Sequence, residues 1–206
     1  MKKISIFIIS WIILTSAFCI WADYTPELQQ AYNWAYKNGI TTMNSIEKAN
    51  MKWNLTRAEL AKMISNYAIN ILWEQPNKTW DCLFKDVSSE LNNKYNNWIT
   101  NACKLWIMWQ NIKNFRPNDP VSRAEFWTVL SRVLRWNKNE WWNNYYENHL
   151  KALKHEWIMN NISAPTNKEM RGYVMLMLMR SSNNNTKTTE ESNKDYQISD
   201  VIKMLD

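Results

Sequence analysis

Leu55-Thr56-Arg57-Ala58-Glu59-Leu60 returns 66 residues later as Val121-Ser122-Arg123-Ala124-Glu125-Phe126. Each copy places a hydroxyl residue three positions ahead of a glutamate. That is the spacing of a capping box, in which the hydroxyl accepts from a first-turn N–H and the carboxylate reaches back to the cap backbone. The residues that follow keep helical spacing, Met63, Ile64 and Tyr67 being answered by Val129, Leu130 and Val133. An amphipathic helix therefore starts at each copy. A shift of a further 45 residues lays Asn167-Lys168-Glu169-Met170 on Ser122-Arg123-Ala124-Glu125 and aligns Val174 with Val129 and Arg180 with Arg135. In this third copy the cap becomes asparagine, the cation lysine, and the acid methionine.

Working outward, each of these helices is preceded by another helix and a connector. Tyr32 to Asn38 runs into Gly39-Ile40-Thr41, Asn97 to Leu105 into Trp106-Ile107-Met108, and Tyr145 to Glu156 into Trp157-Ile158-Met159. A helix–loop–helix unit that recurs three times predicts an all-α fold packed around one core. The Met175, Leu176, Leu178 and Met179 stripe belongs to that core. The segment from Ser181 to Asp195 is rich in Ser, Thr, Asn and Lys and reads as a disordered tail, followed by a short helix over Tyr196–Leu205.

The chain has 206 residues, 46% of them hydrophobic, which is enough for a sizeable core. Its N-terminus pairs Lys2 and Lys3 with an apolar run from Ile4 to Ile20 that meets no charge before Asp23. This is the pattern of a secretory signal peptide cleaved after Ala22. The run borders on transmembrane length, so an uncleaved anchor is the competing reading. Bulky Phe18 before Cys19 argues against a lipoprotein site. Removing residues 1–22 takes away two lysines, so the net charge falls from +6 to +4. The mature chain keeps Cys82 and Cys103, readable either as buried thiols or as a disulfide in an oxidising compartment. They form no C-x-x-C pair, and with only His149 and His155 beside them they make a poor zinc set.

Other chemistries are excluded or weak. With two glycines in the whole chain, no phosphate-cradling loop can be built. The positive charge is spread rather than clustered, against nucleic-acid binding. Glu59 and Glu125 are paired carboxylates of a kind that could hydrolyse glycosides, but repetition places them in separate grooves rather than across one bond. His149 and His155, six apart on a helix, point to different faces. The sequence offers no catalytic set and no cofactor site.

The run Phe84-Lys85-Asp86-Val87, then Leu105 to Met108, then Phe115-Arg116-Pro117-Asn118-Asp119-Pro120 leading into Val121–Phe126, resembles an S-layer homology repeat. That family's pattern is F-x-D-V, a helix, G-I/L-x-x-G, then F-x-P-N-x-x-I-T-R-A-E-F. On this resemblance the chain divides into a signal peptide (1–22), repeats at 27–73, 84–136 and 142–181, the last degenerate, and a tail (182–206). Such repeats pack three together as one pseudo-threefold helical unit, with ligand grooves between neighbours, and attach exported proteins non-covalently to acidic polysaccharides of the cell wall. The resemblance implies that Arg57 and Arg123 pair with the polymer's carboxylate. Glu59 and Glu125 would hold those arginines or accept sugar hydroxyls, Thr56 and Ser122 would donate hydrogen bonds, and Lys168 would serve a third groove. It implies a secreted, cell-surface location, with homo-association or S-layer assembly as further interactions and no enzyme activity. A diverged repeat serving as a scaffold or protein–protein module is the alternative.

The departures from the family pattern share one residue type. The chain has 14 Trp and 28 Asn. Trp106 and Trp109 take the two glycine places of G-I-x-x-G, and Trp157 stands where the first repeat has Gly39. Some bacteria read the codon UGA as glycine and others as tryptophan, so an AT-rich gene translated with the wrong table would look like this. Reassigning Trp53, Trp73, Trp98, Trp106, Trp109, Trp127, Trp136, Trp141, Trp142 and Trp157 would raise glycine from 2 to 12, near the ordinary share of about 7%. Trp34 reads as genuine, and Trp11, Trp21 and Trp80 stay undecided. Real tryptophans serving as aromatic ligand platforms or filling a Trp-rich core are the competing readings, though neither explains why tryptophan falls on glycine sites.

Overall fold

The computed structural model describes residues 24–108, 112–135 and 146–184. The expected signal peptide, Trp109, Trp136, Trp141, Trp142 and residues 185–206, with the short helix expected there, lie outside the described residues.

The protein is all-α. Its helices are α1 (Pro26–Lys37), α2 (Arg57–Asn70), α3 (Ser89–Lys94), α4 (Trp98–Lys104), α5 (Arg123–Arg135) and α6 (Glu147–His155), followed by α7, helical over 171–184. No described helix is long and apolar enough to cross a membrane. Helix α7 runs through residue 184, so the boundary expected at Ser181 falls too early: Ser181 is buried, and its hydroxyl donates to the Met177 carbonyl (2.7 Å).

Helix α2 is buried on most of its circumference, including Leu60, Ile64 and Tyr67. It lies against both α4 and α5, while α5 also takes α6. Side chains from the later helix of a unit also tie down the end of the earlier one. The Asn70 amide donates to the Asn38 carbonyl (3.0 Å), and at the corresponding place Asn184 donates to the Glu156 carbonyl (2.7 Å). Cys82 and Cys103 are joined as a disulfide that pins the segment before α3 to α4.

The loops that enter α2, α5 and α7 meet in a closed cycle of backbone hydrogen bonds. Val121 N–H donates to Leu55 O (2.8 Å), Leu55 N–H to Glu169 O (3.0 Å), and Glu169 N–H to Val121 O (2.9 Å). A second set lies beside it: Arg57 N–H to Asp119 O (3.0 Å), Arg123 N–H to Asn167 O (2.8 Å) and Arg171 N–H to Trp53 O (3.0 Å). Buried polar backbone must be paired, and here three short segments satisfy one another without a sheet.

This cycle corrects the register of the third copy. Residues 55, 121 and 169 are equivalent, so the second shift is 48 residues rather than 45. Met170, not Asn167, occupies the place of Thr56 and Ser122; Arg171, not Lys168, that of Arg57 and Arg123; and Tyr173 that of Glu59 and Glu125.

Candidate functional site

The capping boxes form as their spacing requires. Thr56 Oγ1 accepts from Glu59 N–H (3.3 Å) while Thr56 N–H donates to Glu59 Oε2 (2.9 Å). Ser122 and Glu125 repeat this at 3.3 and 2.8 Å. In the third unit a methionine cannot accept, and Glu169, one residue earlier, receives the Met170 N–H instead (3.1 Å).

The arginine after each cap reaches into the next unit. Arg57 Nε donates to Phe115 O (2.7 Å) and Nη1 to Glu125 Oε1 (3.1 Å). Arg171 Nη1 donates to Ala49 O (3.0 Å), and its Nη2 binds Glu59 Oε1. Arg123 Nη1 donates to Ser163 O (2.8 Å), with its Nε 3.8 Å from Glu169 Oε2. Each receiving carbonyl precedes a left-handed residue: Asn50, Arg116 and Ala164 have φ of 51, 58 and 52°. In the second unit Asp86, the acid of Phe84-Lys85-Asp86-Val87, holds that turn by accepting from the N–H groups of Phe115 (2.7 Å) and Arg116 (2.6 Å). The sequence therefore repeats an inter-unit clamp, arginine to carbonyl and carboxylate.

Position 58/124/172 is small for a related reason. Ala58 N–H donates to Pro117 O, Ala124 N–H to Pro165 O and Gly172 N–H to Met51 O, at 2.9, 2.9 and 2.8 Å. A Cβ on Gly172 would lie 3.0 Å from the Met51 carbonyl oxygen. Sequence reasoning passes over Arg171, although an arginine followed by a small residue marks all three copies: Arg57-Ala58, Arg123-Ala124 and Arg171-Gly172.

The clamps differ in their electrostatics. Arg57 is buried, and its guanidinium pKa is lowered by that burial, against the pull of Glu125. Burial resists ionisation of Glu125. The Ser122 N–H and hydroxyl, with Arg57 and Arg116, outweigh it and hold this carboxyl below its ordinary value. Glu169 is 2% exposed and goes the other way: burial pushes it up, and the Met170 N–H, Arg123 and Trp127 offset this only in part.

A groove of about 490 Å3 opens where the third unit meets α1 and Arg123; Glu27, Arg123, Lys168, Glu169, Tyr173 and Arg180 line it. Lys168 is exposed and its ammonium donates to Pro120 O (3.4 Å). Arg180 Nε donates to Glu27 Oε1 (3.0 Å). Of the residues singled out on sequence, Arg123 and Lys168 meet in this groove. Thr56, Arg57, Glu59, Ser122 and Glu125 instead sit in the clamps and caps between units. Glu59 and Glu125 each hold a different arginine. No group of three or more His, Cys, Asp or Glu suited to a metal occurs among the described residues.

No protein-family model matches the chain, and no curated protein matches it.

Proposed function

We propose that this chain is an exported module of the S-layer homology type, three repeats about a pseudo-threefold axis, which binds an acidic cell-wall polysaccharide non-covalently. The observation that carries this reading is the groove between units. Arg123, Lys168 and Arg180 converge there against two carboxylates, Glu27 and Glu169, beside the half-exposed Tyr173 ring. Three cations face two carboxylates, so the lining keeps a positive balance and favours an anion. A planar guanidinium pairs with a carboxylate through two parallel hydrogen bonds, and an aromatic face suits the apolar side of a sugar ring. The cycle of loop hydrogen bonds supports the repeat reading, and the Asp86 turn gives the F-x-D-V acid a structural role.

One observation favours the alternative, a diverged scaffold without polymer binding. Arg57 and Arg171 are already paired across unit boundaries, and both are nearly buried. Arg123 and Arg180 are paired too, with Glu169 and Glu27, but they are more exposed and open on the groove, which moves the proposed ligand chemistry to Arg123, Lys168 and Arg180.

Sedimentation with purified cell-wall sacculi tests the choice. The folded protein is expected to pellet with them, less so as salt rises. Lys168→Ala should weaken binding about tenfold, the worth of one charge-assisted bond, without altering the melt. A folded protein that stays in the supernatant overturns polymer binding and leaves the scaffold.

A further inference from the structure

We infer that residues 73, 106 and 157 are glycine in the protein as its own host makes it, encoded there by UGA. Three helix ends are built alike. At the end of α1, Gly39 N–H donates to Tyr36 O (3.1 Å) and Ile40 N–H to Ala35 O (2.8 Å), with Gly39 at φ 70°. At the end of α4, Trp106 N–H donates to Cys103 O (2.9 Å) and Ile107 N–H to Ala102 O (3.1 Å), with Trp106 at φ 59°. At the end of α6, Trp157 N–H donates to Lys154 O (3.1 Å) and Ile158 N–H to Leu153 O (3.2 Å), with Trp157 at φ 57°. These are the paired bonds of a Schellman cap, whose left-handed residue is usually glycine because a Cβ crowds the following carbonyl. One of the three equivalent sites has glycine, and two have the bulkiest residue there is.

Trp73, just past α2, repeats the conflict. It stands at φ 60°, one residue before Glu74 N–H returns to Ala68 O (3.0 Å). The indoles at 73 and 157 are 82 and 80% exposed, so no core packing compensates the backbone. Trp106 is 48% exposed and meets the Trp80 ring edge-on at 4.2 Å. Trp34 differs in every respect: it lies inside α1, is partly buried, and packs on Tyr67 at 6.3 Å.

The structure also divides the wider set of tryptophans. Trp127 is fully buried in α5, with the Arg123 guanidinium over its ring at 4.5 Å. Trp53 is exposed in a turn, and Trp98 opens α4; neither they nor Trp127 have positive φ. Among the described tryptophans, positive φ is confined to residues 73, 106 and 157.

The competing view makes these exposed indoles sugar-stacking platforms, and the gene separates the two. UGA at codons 73, 106 and 157 with UGG at codon 34 is expected, and peptides from the native host should carry glycine mass at the three positions. UGG at any of them, or tryptophan mass in native peptides, overturns the assignment for that residue. Recombinant chains give an independent readout. Trp106→Gly and Trp157→Gly should each melt about 2–4 °C above the matched Trp→Ala variant, since only glycine adopts a left-handed cap without strain. Equal melting of the glycine and alanine variants overturns the backbone argument.

Discussion

At the scale of single residues, Glu125 and Glu169 do the same work under opposite conditions. Each binds the N–H of a cap residue and faces an arginine of the preceding unit. The Glu125 carboxyl is lowered, so its contribution to stability is present above the ordinary glutamate value of about 4.3 and is lost as pH falls through the folded value. Glu125→Gln should therefore lower the melting temperature near neutral pH, and the difference from the parent should vanish in acid. The Glu169 carboxyl is raised, so the fold favours its protonated form, and its contribution fades as pH rises through the raised value. Glu169→Gln should accordingly gain on the parent as pH climbs towards neutrality. Melting curves across the acid range check both signs, and parallel profiles for the two variants contradict the assignment. Arg57→Ala belongs to this scale too. It strips a partner from Glu125 and from the Phe115 carbonyl, and should cost about 2 kcal/mol in urea unfolding, in the range for hydrogen bonds to charged groups. Thr56→Ala removes a cap alone, about 1 kcal/mol.

Among the elements, α7 docks closely on the Met51 backbone through its second residue. A methyl group added at its second residue, Gly172, would sit 3.0 Å from the Met51 carbonyl oxygen and 3.2 Å from Met51 Cβ. Gly172→Ala should destabilise by about 1–3 kcal/mol, as overpacking against backbone does. Ala58 and Ala124 already hold the equivalent places in α2 and α5, so a neutral outcome in a thermal melt would show that the α7 dock has the same slack. Helices α2 and α5 are legible in the sequence because a hydroxyl and a glutamate three apart state a start with a mechanism. The start of α7 lies three residues beyond the place its sequence suggests. Met170 cannot cap and Tyr173 cannot close a box, so the local markers are absent, and Glu169 supplies the carboxylate from a place that no capping pattern names. The arginine clamps are illegible for another reason. The pairs Arg57–Glu125 and Arg171–Glu59 are 68 and 112 residues apart, and nothing near either arginine announces its partner.

For the whole molecule, the cycle linking Leu55, Val121 and Glu169 implies one cooperative unfolding event. In stacked repeat proteins each unit touches only its neighbours and the terminal ones can fray separately. Here the first loop bonds directly to the third, so opening any unit removes partners from both others. Hydrogen exchange should give one common opening free energy for the amides of Leu55, Val121 and Glu169; three graded values would reject that. The Cys82–Cys103 bridge closes a span of 21 residues. Its reduction should lower global stability by about 3 kcal/mol in the chain-entropy model, seen as a single shifted transition rather than a new early one. An open solenoid lengthens by tandem duplication, each added copy resting on the last. In this chain every junction is already occupied, and a fourth copy would have to break a bond between the first loop and the third before making its own. Growth by one copy would thus open the cycle of Leu55, Val121 and Glu169, whereas whole three-loop sets can follow one another along a chain without touching it.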